Sequence, residues 1–273
     1  MGHINQLVAE TLSCTVELAA PLTDLVYQKT RGNPFFTTQF LKGLHEDGLI
    51  TFNPNLGYWE CDLVKVRDAA LTDDVVEFMA GRLHKLPEAT REVLKLAACI
   101  GNQFDLDTLA IICETSSEEV ATDLWSALRE GLILPQTQAY KFFQEWEKDD
   151  DRAEGIAVGY RFLHDRVQQA AYSLIVDSQK KRTHYHIGEL LLEKISPSER
   201  EERIFELVNQ LNHGTTLITQ QTKRDELAQL NLIACGKARS TIAYEAGREY
   251  ANTNFPKDCY NKIGTKLLSD CSY

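Results

Sequence analysis

What the chain lacks narrows its possible roles first. No C-x-x-C pair occurs among its seven cysteines, at positions 14, 61, 99, 113, 235, 259 and 271, several of which sit beside Ala, Ile or Leu. That excludes a disulfide framework or the usual zinc motifs and predicts buried free thiols in a reducing compartment. Long apolar runs are also missing. The longest stretch free of Asp, Glu, Lys and Arg, Leu207–Thr222, is full of Asn, Gln and Thr and cannot span a bilayer. The opening MGHINQLVAE has neither a basic start nor an apolar core, so the expected location is the cytoplasm. Positive charge is scarce: 29 Lys and Arg against 40 Asp and Glu leave a net charge of −11. A surface of that sign repels phosphate backbones and anionic lipid, which argues against nucleic acid and membrane partners.

Catalytic signatures are missing as well. A phosphate-binding P-loop needs Gly-x4-Gly-Lys-Ser/Thr, because a glycine turn must aim backbone N–H groups at the phosphates. Around Gly236-Lys237 the first glycine is replaced by Asn231 and the hydroxyl by Ala238, so a helix interior is the better reading. His164-Asp165-Arg166 has the residues of a kinase catalytic loop in the wrong order, and no Asp-Phe-Gly follows. His184 and His186 lie two apart in an expected helix, so they diverge and read as surface histidines rather than a metal pair. The carboxylate pairs Asp73-Asp74 and Asp149–Asp151 read as a helix start and a charged loop. The expectation is a chain with no catalytic residue, no metal site and no cofactor of its own.

What is there is helix. A length of 273 residues, with 43% apolar and 25% charged residues, suits two or more globular units. Leu22, Leu25, Val26 and Lys29 form a stripe that Thr23 is expected to open and Gly32 to stop; Asn33 and Pro34 then offer an N-cap and an N1 proline for the next helix. That helix carries Phe36, Phe40, Leu41 and Leu44 and stops at Gly48. Residues 49–52 and 58–61 read as two short strands around the turn Asn53-Pro54-Asn55-Leu56-Gly57.

From Asp73 the pattern is more legible. A helix through Val76, Met79, Ala80 and Leu83 is followed, past Pro87, by Val93, Leu96, Ala97 and Ile100 at helical spacing. Next come a short helix with Leu106, Leu109, Ala110 and Cys113, and a third behind the capping box Ser116-x-x-Glu119, burying Val120, Leu124, Ala127 and Leu128 up to Gly131. Strand-like segments at 132–134, 140–143 and 160–163, with an acidic loop from Glu145 to Glu154, complete the order of a winged helix-turn-helix. Its third helix carries Glu118, Glu119, Asp123 and Glu130 against Arg129 alone, where groove-reading helices place Arg, Lys, Asn and Gln. That helix suits protein packing, with Trp125 as an anchor or, more commonly, a core residue. Helices follow at 183–195, 200–211 and 224–250, the last long enough to be one helix or two with a break near Gly236, and with small residues that permit solenoid-type packing. The tail from Asn252 to Tyr273 has weak periodicity and no partner helix, so the segment reads as a truncated repeat array.

Three stretches together resemble the regulatory half of a STAND-type AAA+ ATPase. Gly32-Asn33-Pro34-Phe35-Phe36 is similar to the Gly-x-Pro motif of the helical lid, the block from Leu83 to Pro135 resembles the winged helix, and residues 160–167 resemble its Met-His-Asp motif with Leu163 in place of Met. Over roughly Leu7 to Tyr250 the wording is similar to very large cyanobacterial signalling proteins, in which a serine/threonine kinase precedes the ATPase and helical repeats, a GAF sensor and a histidine kinase follow. The final residues depart from it. The resemblance implies a mainly α chain in three parts: a lid with a β-hairpin (1–68), a winged helix (69–176) and the start of TPR-like helical repeats (177–273). It implies nucleotide-sensing roles for Gly32, Asn33, Pro34, His164 and Asp165, with ATP or ADP and Mg²⁺ held by an upstream domain, since Walker A and Walker B are not in this chain. The partners implied are that upstream domain and the downstream helical and sensor domains. Two alternatives stay open: Gly32–Pro34 also makes a sound helix stop and start, and His164 also reads as a hydrogen-bonded core histidine. The function implied is a non-catalytic regulatory fragment that couples nucleotide state to its neighbours; the alternative is a helical protein-interaction scaffold with a structural winged helix.

Overall fold

The structure is a computed structural model that describes residues 2–69, 75–136, 158–240, 248 and 250. Among the described residues it is mainly α, with 73% helix and two small sheets of two and three strands. Backbone contacts divide the chain into two compact units, Met1–Lys85 and Leu86–Tyr273.

In the first unit, α1 (Gly2–Leu12) packs on α2 (Val16–Thr30), which is followed by α3 (Pro34–Glu46), the hairpin β1 (Ile50–Asn53) and β2 (Tyr58–Cys61), α4 (Leu63–Ala69) and α5 (Val75–His84). The start expected at Thr23 is too late. Thr15 caps α2, its hydroxyl accepting from the Leu18 amide at 3.4 Å, and the helix runs through Pro21. That proline forfeits one backbone bond, but Ala19, Leu22, Leu25 and Val26 bury against Val8, Ala9 and Leu12 and hold the segment helical regardless. Thr23 instead ties the two helices together by donating to Asn5 Oδ1 at 2.8 Å. The hairpin forms as expected, antiparallel with Ile50 opposite Cys61 and Asn53 opposite Tyr58. Buried Arg82 on α5 pairs with Glu46 on α3, and Lys85 reaches Asp47 at 2.6 Å.

The second unit runs α6 (Glu88–Ile100), β3 (Gln103–Asp105), α7 (Leu106–Cys113), α8 (Ser117–Arg129), β4 (Ile133–Pro135), β5 (Gly159–Phe162) and α9 (Asp165–Ser173). The antiparallel strand order is β3-β5-β4. Three helices and a small sheet thus stand in the order read from the sequence, with one strand, β3, that the sequence did not signal. It is short, and it is recruited by pairing Phe104 with Tyr160, whose rings stack at 5.9 Å beside buried Phe162. The expected strand at 140–143 and the acidic loop at 145–154 lie outside the described residues. Only half of the expected capping box forms: the Ser116 hydroxyl accepts from the Glu119 amide at 3.2 Å, while the Glu119 carboxylate takes the Thr115 hydroxyl. Trp125 is not a core residue. The buried stripe of α8 is Val120, Leu124 and Ala127, and Trp125, on the outward side of that stripe, is 46% exposed.

Beyond α9 come α10 (Asp177–Lys194), α11 (Pro197–Glu202), α12 (Ile204–His213) and α13 (Gln221–Ser240). The single helix expected over 200–211 is two. A capping box that the sequence analysis passed over, with the Ser196 amide donating to Glu199 at 2.8 Å, starts α11, and the chain turns at Arg203 before α12. No break occurs at Gly236, which lies inside α13 with open space around it, so nothing forces the helix to end there. Helices α10 and α12 approach closely because Gly188 has no side chain; a Cβ there would meet Leu211 Cδ2 at 2.6 Å.

Candidate functional site

The residues singled out by the sequence fall in both units: Gly32, Asn33 and Pro34 in the first, His164 and Asp165 in the second. Each group is built by its own helix start.

At the first, α2 ends with Arg31 in the left-handed region (φ 51°) and Gly32 follows at φ 80°. Glycine suits this place twice over, since a Cβ would also meet Ile4 Cδ1 at 3.0 Å and the Tyr27 ring at 3.2 Å. Asn33 then caps α3, its Oδ1 accepting from the Phe35 amide at 3.0 Å and the Phe36 amide at 3.3 Å, and Pro34 occupies the first helical position. Buried Thr30 closes the turn. Its hydroxyl donates to the Val26 carbonyl at 2.8 Å and accepts from the Gly32 amide at 3.3 Å, with Thr37 Oγ1 at 3.1 Å. The amides of Arg31, Gly32 and Asn33 are all committed inside the turn, to Tyr27 O, Thr30 Oγ1 and Thr30 O. No amide set remains here to cradle a phosphate as a P-loop does. The turn presents outward the ring of Pro34 and the side chain of Arg31, both exposed.

The second helix start follows β5. His164 has extended backbone (φ −150°, ψ 146°) and is the N-cap of α9, with Nδ1 accepting from the Arg166 amide at 3.1 Å. The expected buried core histidine is not found, for the ring is half-buried. Because Nδ1 accepts, the neutral ring carries its proton on Nε2, which is the nitrogen able to donate to an anionic oxygen. Asp165, exposed in the first turn of α9, is favourably placed against the positive end of the helix dipole.

One histidine escaped the sequence reading. His184 is not on the surface; it is 5% exposed, with Gln210 Oε1 2.7 Å from Nδ1 and the Tyr172 hydroxyl 3.0 Å from Nε2. Helical spacing placed it apart from His186, which is correct, but the partner that buries it, α12, was not legible from α10 alone. Two grooves are found among the described residues. One of about 480 Å³, among α10, α12 and α13, is floored by Leu190, Leu211 and Leu227 and rimmed by Glu189 and Lys223. The other, about 400 Å³, lies among α1, α3 and the hairpin, with Leu7, Leu41 and Trp59 in its lining. Among the described residues no group of three or more His, Cys, Asp or Glu is placed to hold a metal ion.

No protein-family model matches the chain. It is 31% identical over 283 aligned residues, 92% of its length, to the hybrid signal transduction histidine kinase G of Dictyostelium discoideum. It is 29% identical over 137 residues, 48% of its length, to the peroxide stress-activated histidine kinase mak3 of Schizosaccharomyces pombe. The chain spans only 8% and 6% of those two proteins. It is therefore distantly homologous to a segment that large signalling histidine kinases contain.

Proposed function

We propose that this chain is a regulatory segment of a multidomain signalling kinase: the lid, winged helix and first helical repeats of a STAND-type ATPase module, coupling the nucleotide state of an upstream domain to domains downstream. The observation that carries this reading is the shared segment, which aligns 92% of the chain within a hybrid signal transduction histidine kinase. Local geometry supports it. Each residue assigned a nucleotide-sensing role stands at a helix start, and the two groups best able to face a neighbour, the Pro34 ring and the His164 imidazole, are exposed and half-buried respectively. ATP or ADP with Mg²⁺ would be bound by the upstream domain, for the turn at Gly32 has spent its amides internally. In this scheme Pro34 packs beside the nucleotide and His164 donates from Nε2 to a phosphate oxygen of the resting form. Such a device switches only if the two nucleotide states differ in their contacts with this segment.

Isothermal titration of the chain with ATP and ADP plus Mg²⁺, alone and with a separately expressed upstream ATPase domain from a full-length relative, tests the reading. The expected result is no binding by the chain alone and tighter ADP binding once the domain is added. Both His164→Ala and His164→Asn should abolish that gain; the asparagine keeps an N-cap acceptor, so its failure isolates the ring from the helix start. Indifference to the added domain would overturn the proposal. It would favour a second reading, a protein-interaction scaffold, for which the groove among α10, α12 and α13 is the specific support.

A further inference from the structure

His184 is the centre of a chain of hydrogen bonds that joins four helices of the second unit. Gln210 on α12 donates from Nε2 to the Cys99 carbonyl at the end of α6, at 2.8 Å. With its amide nitrogen so committed, its oxygen must face His184, so Nδ1 of that ring carries the hydrogen and Nε2 accepts from Tyr172 on α9. The neutral imidazole is satisfied at both nitrogens. Against its face lies a second imidazole, the exposed His213 of α12, with ring centroids 4.2 Å apart and planes inclined by 20°.

We propose that buried His184, stacked on His213, is an acid-sensitive latch, which holds α12, and α13 packed on it, against the helices that enclose the ring when that ring is neutral and releases them when it is charged. The surroundings offer a proton on His184 no compensation. From α10, Lys180 lies 4.7 Å over the Tyr172 ring and is itself paired with Asp177 at 2.7 Å. From α6 comes the Cys99 thiol, neutral because burial pushes it up to about 12. From α13 comes Asn231, which exchanges amide hydrogen bonds with Asn212 at 2.8 and 2.9 Å and carries no charge. The Glu114 carboxylate of α7 reaches His186 at 3.4 Å instead. Among the described residues, then, no carboxylate pairs with either ring of the stack. Burial, followed by the charge of His213, holds His184 below the ordinary histidine value, against the Gln210 bond that favours its proton. A depressed folded value means that the opened state binds more protons. The latch is therefore fully closed above the ordinary histidine value of about 6.5 and weakens as the pH falls below it. The device rests on the packing of this unit alone and is independent of the nucleotide reading.

Native-state amide exchange of the intact chain between pH 7.5 and 5, corrected for intrinsic rates, tests it. Protection in α12 and α13, relative to α8, should fall as the pH drops through about 6.5, by up to about tenfold per pH unit for each proton taken up on opening. His213→Asn, at an exposed position, should leave protection at pH 7.5 unchanged and lessen that dependence without removing it, because the burial of His184 remains; His186→Asn should leave it as it was. An acid dependence unaltered in His213→Asn would overturn the latch. So would one that moves with His186→Asn, or one shared equally by α8, which would mark global acid unfolding.

Discussion

Asn33 shows what one side chain settles. A single oxygen holds two orphan amides of α3, so Asn33→Ala should lower the stability of the first unit by about 1 kcal/mol, with Asn33→Asp nearly neutral, as read by urea denaturation followed at far-UV wavelengths. This residue was legible from its place before Pro34, because capping is local chemistry. His184 and Trp125 were not, for the opposite reason: burial depends on which helix arrives from elsewhere, and the arrival of α12 buries one while the stripe of α8 turns the other outward. Cys99 shares that dependence. With its thiol buried and pushed up to about 12, it should resist a disulfide reagent such as dithiobisnitrobenzoate at pH 8 in the native chain and react on unfolding.

Elements were read well where period and cap agreed and poorly where they did not. Helices α3 and α8 carry both signals, and they formed; α6 formed on its apolar period and the hairpin on its turn residues. Helix α2 began earlier than its apolar stripe suggested because packing on α1 outweighs Pro21, and β3 is a strand only because β5 is there to pair with it. The start of α11 had a local signature in Ser196 and Glu199, whereas the turn at Arg203 that separates it from α12 has no side-chain cap to signal it. Between elements, the close approach of α10 and α12 is set by Gly188. Gly188→Ala would place a methyl 2.6 Å from Leu211 Cδ2 and 3.1 Å from its backbone nitrogen, so the two helices must part. A loss of about 1–3 kcal/mol is expected, measured by chemical denaturation, with Gly236→Ala as the harmless or stabilising control because open space surrounds it.

For the molecule as a whole, charge is the decisive property. A net charge of −11 and an α8 that exposes Glu118 and Glu119 beside Trp125, against Arg129 alone, repel phosphates, so fluorescence anisotropy with duplex DNA should show no affinity that changes with salt. Salt-dependent binding would contradict the acidic reading of that helix. Among the described residues, no helix is long and apolar enough to cross a membrane, a property already set by composition. Composition, period and caps act over a few residues, so the sequence by itself determined the helical class, most of the helices and short strands, and the helix start at Asn33. Tertiary structure alone decided which polar groups are enclosed and what they meet. The burial of His184, its bond to Gln210 and its stack on His213 arise from contacts between segments distant in the chain. Desolvation and hydrogen bonding across such contacts are set by packing, which no local pattern encodes.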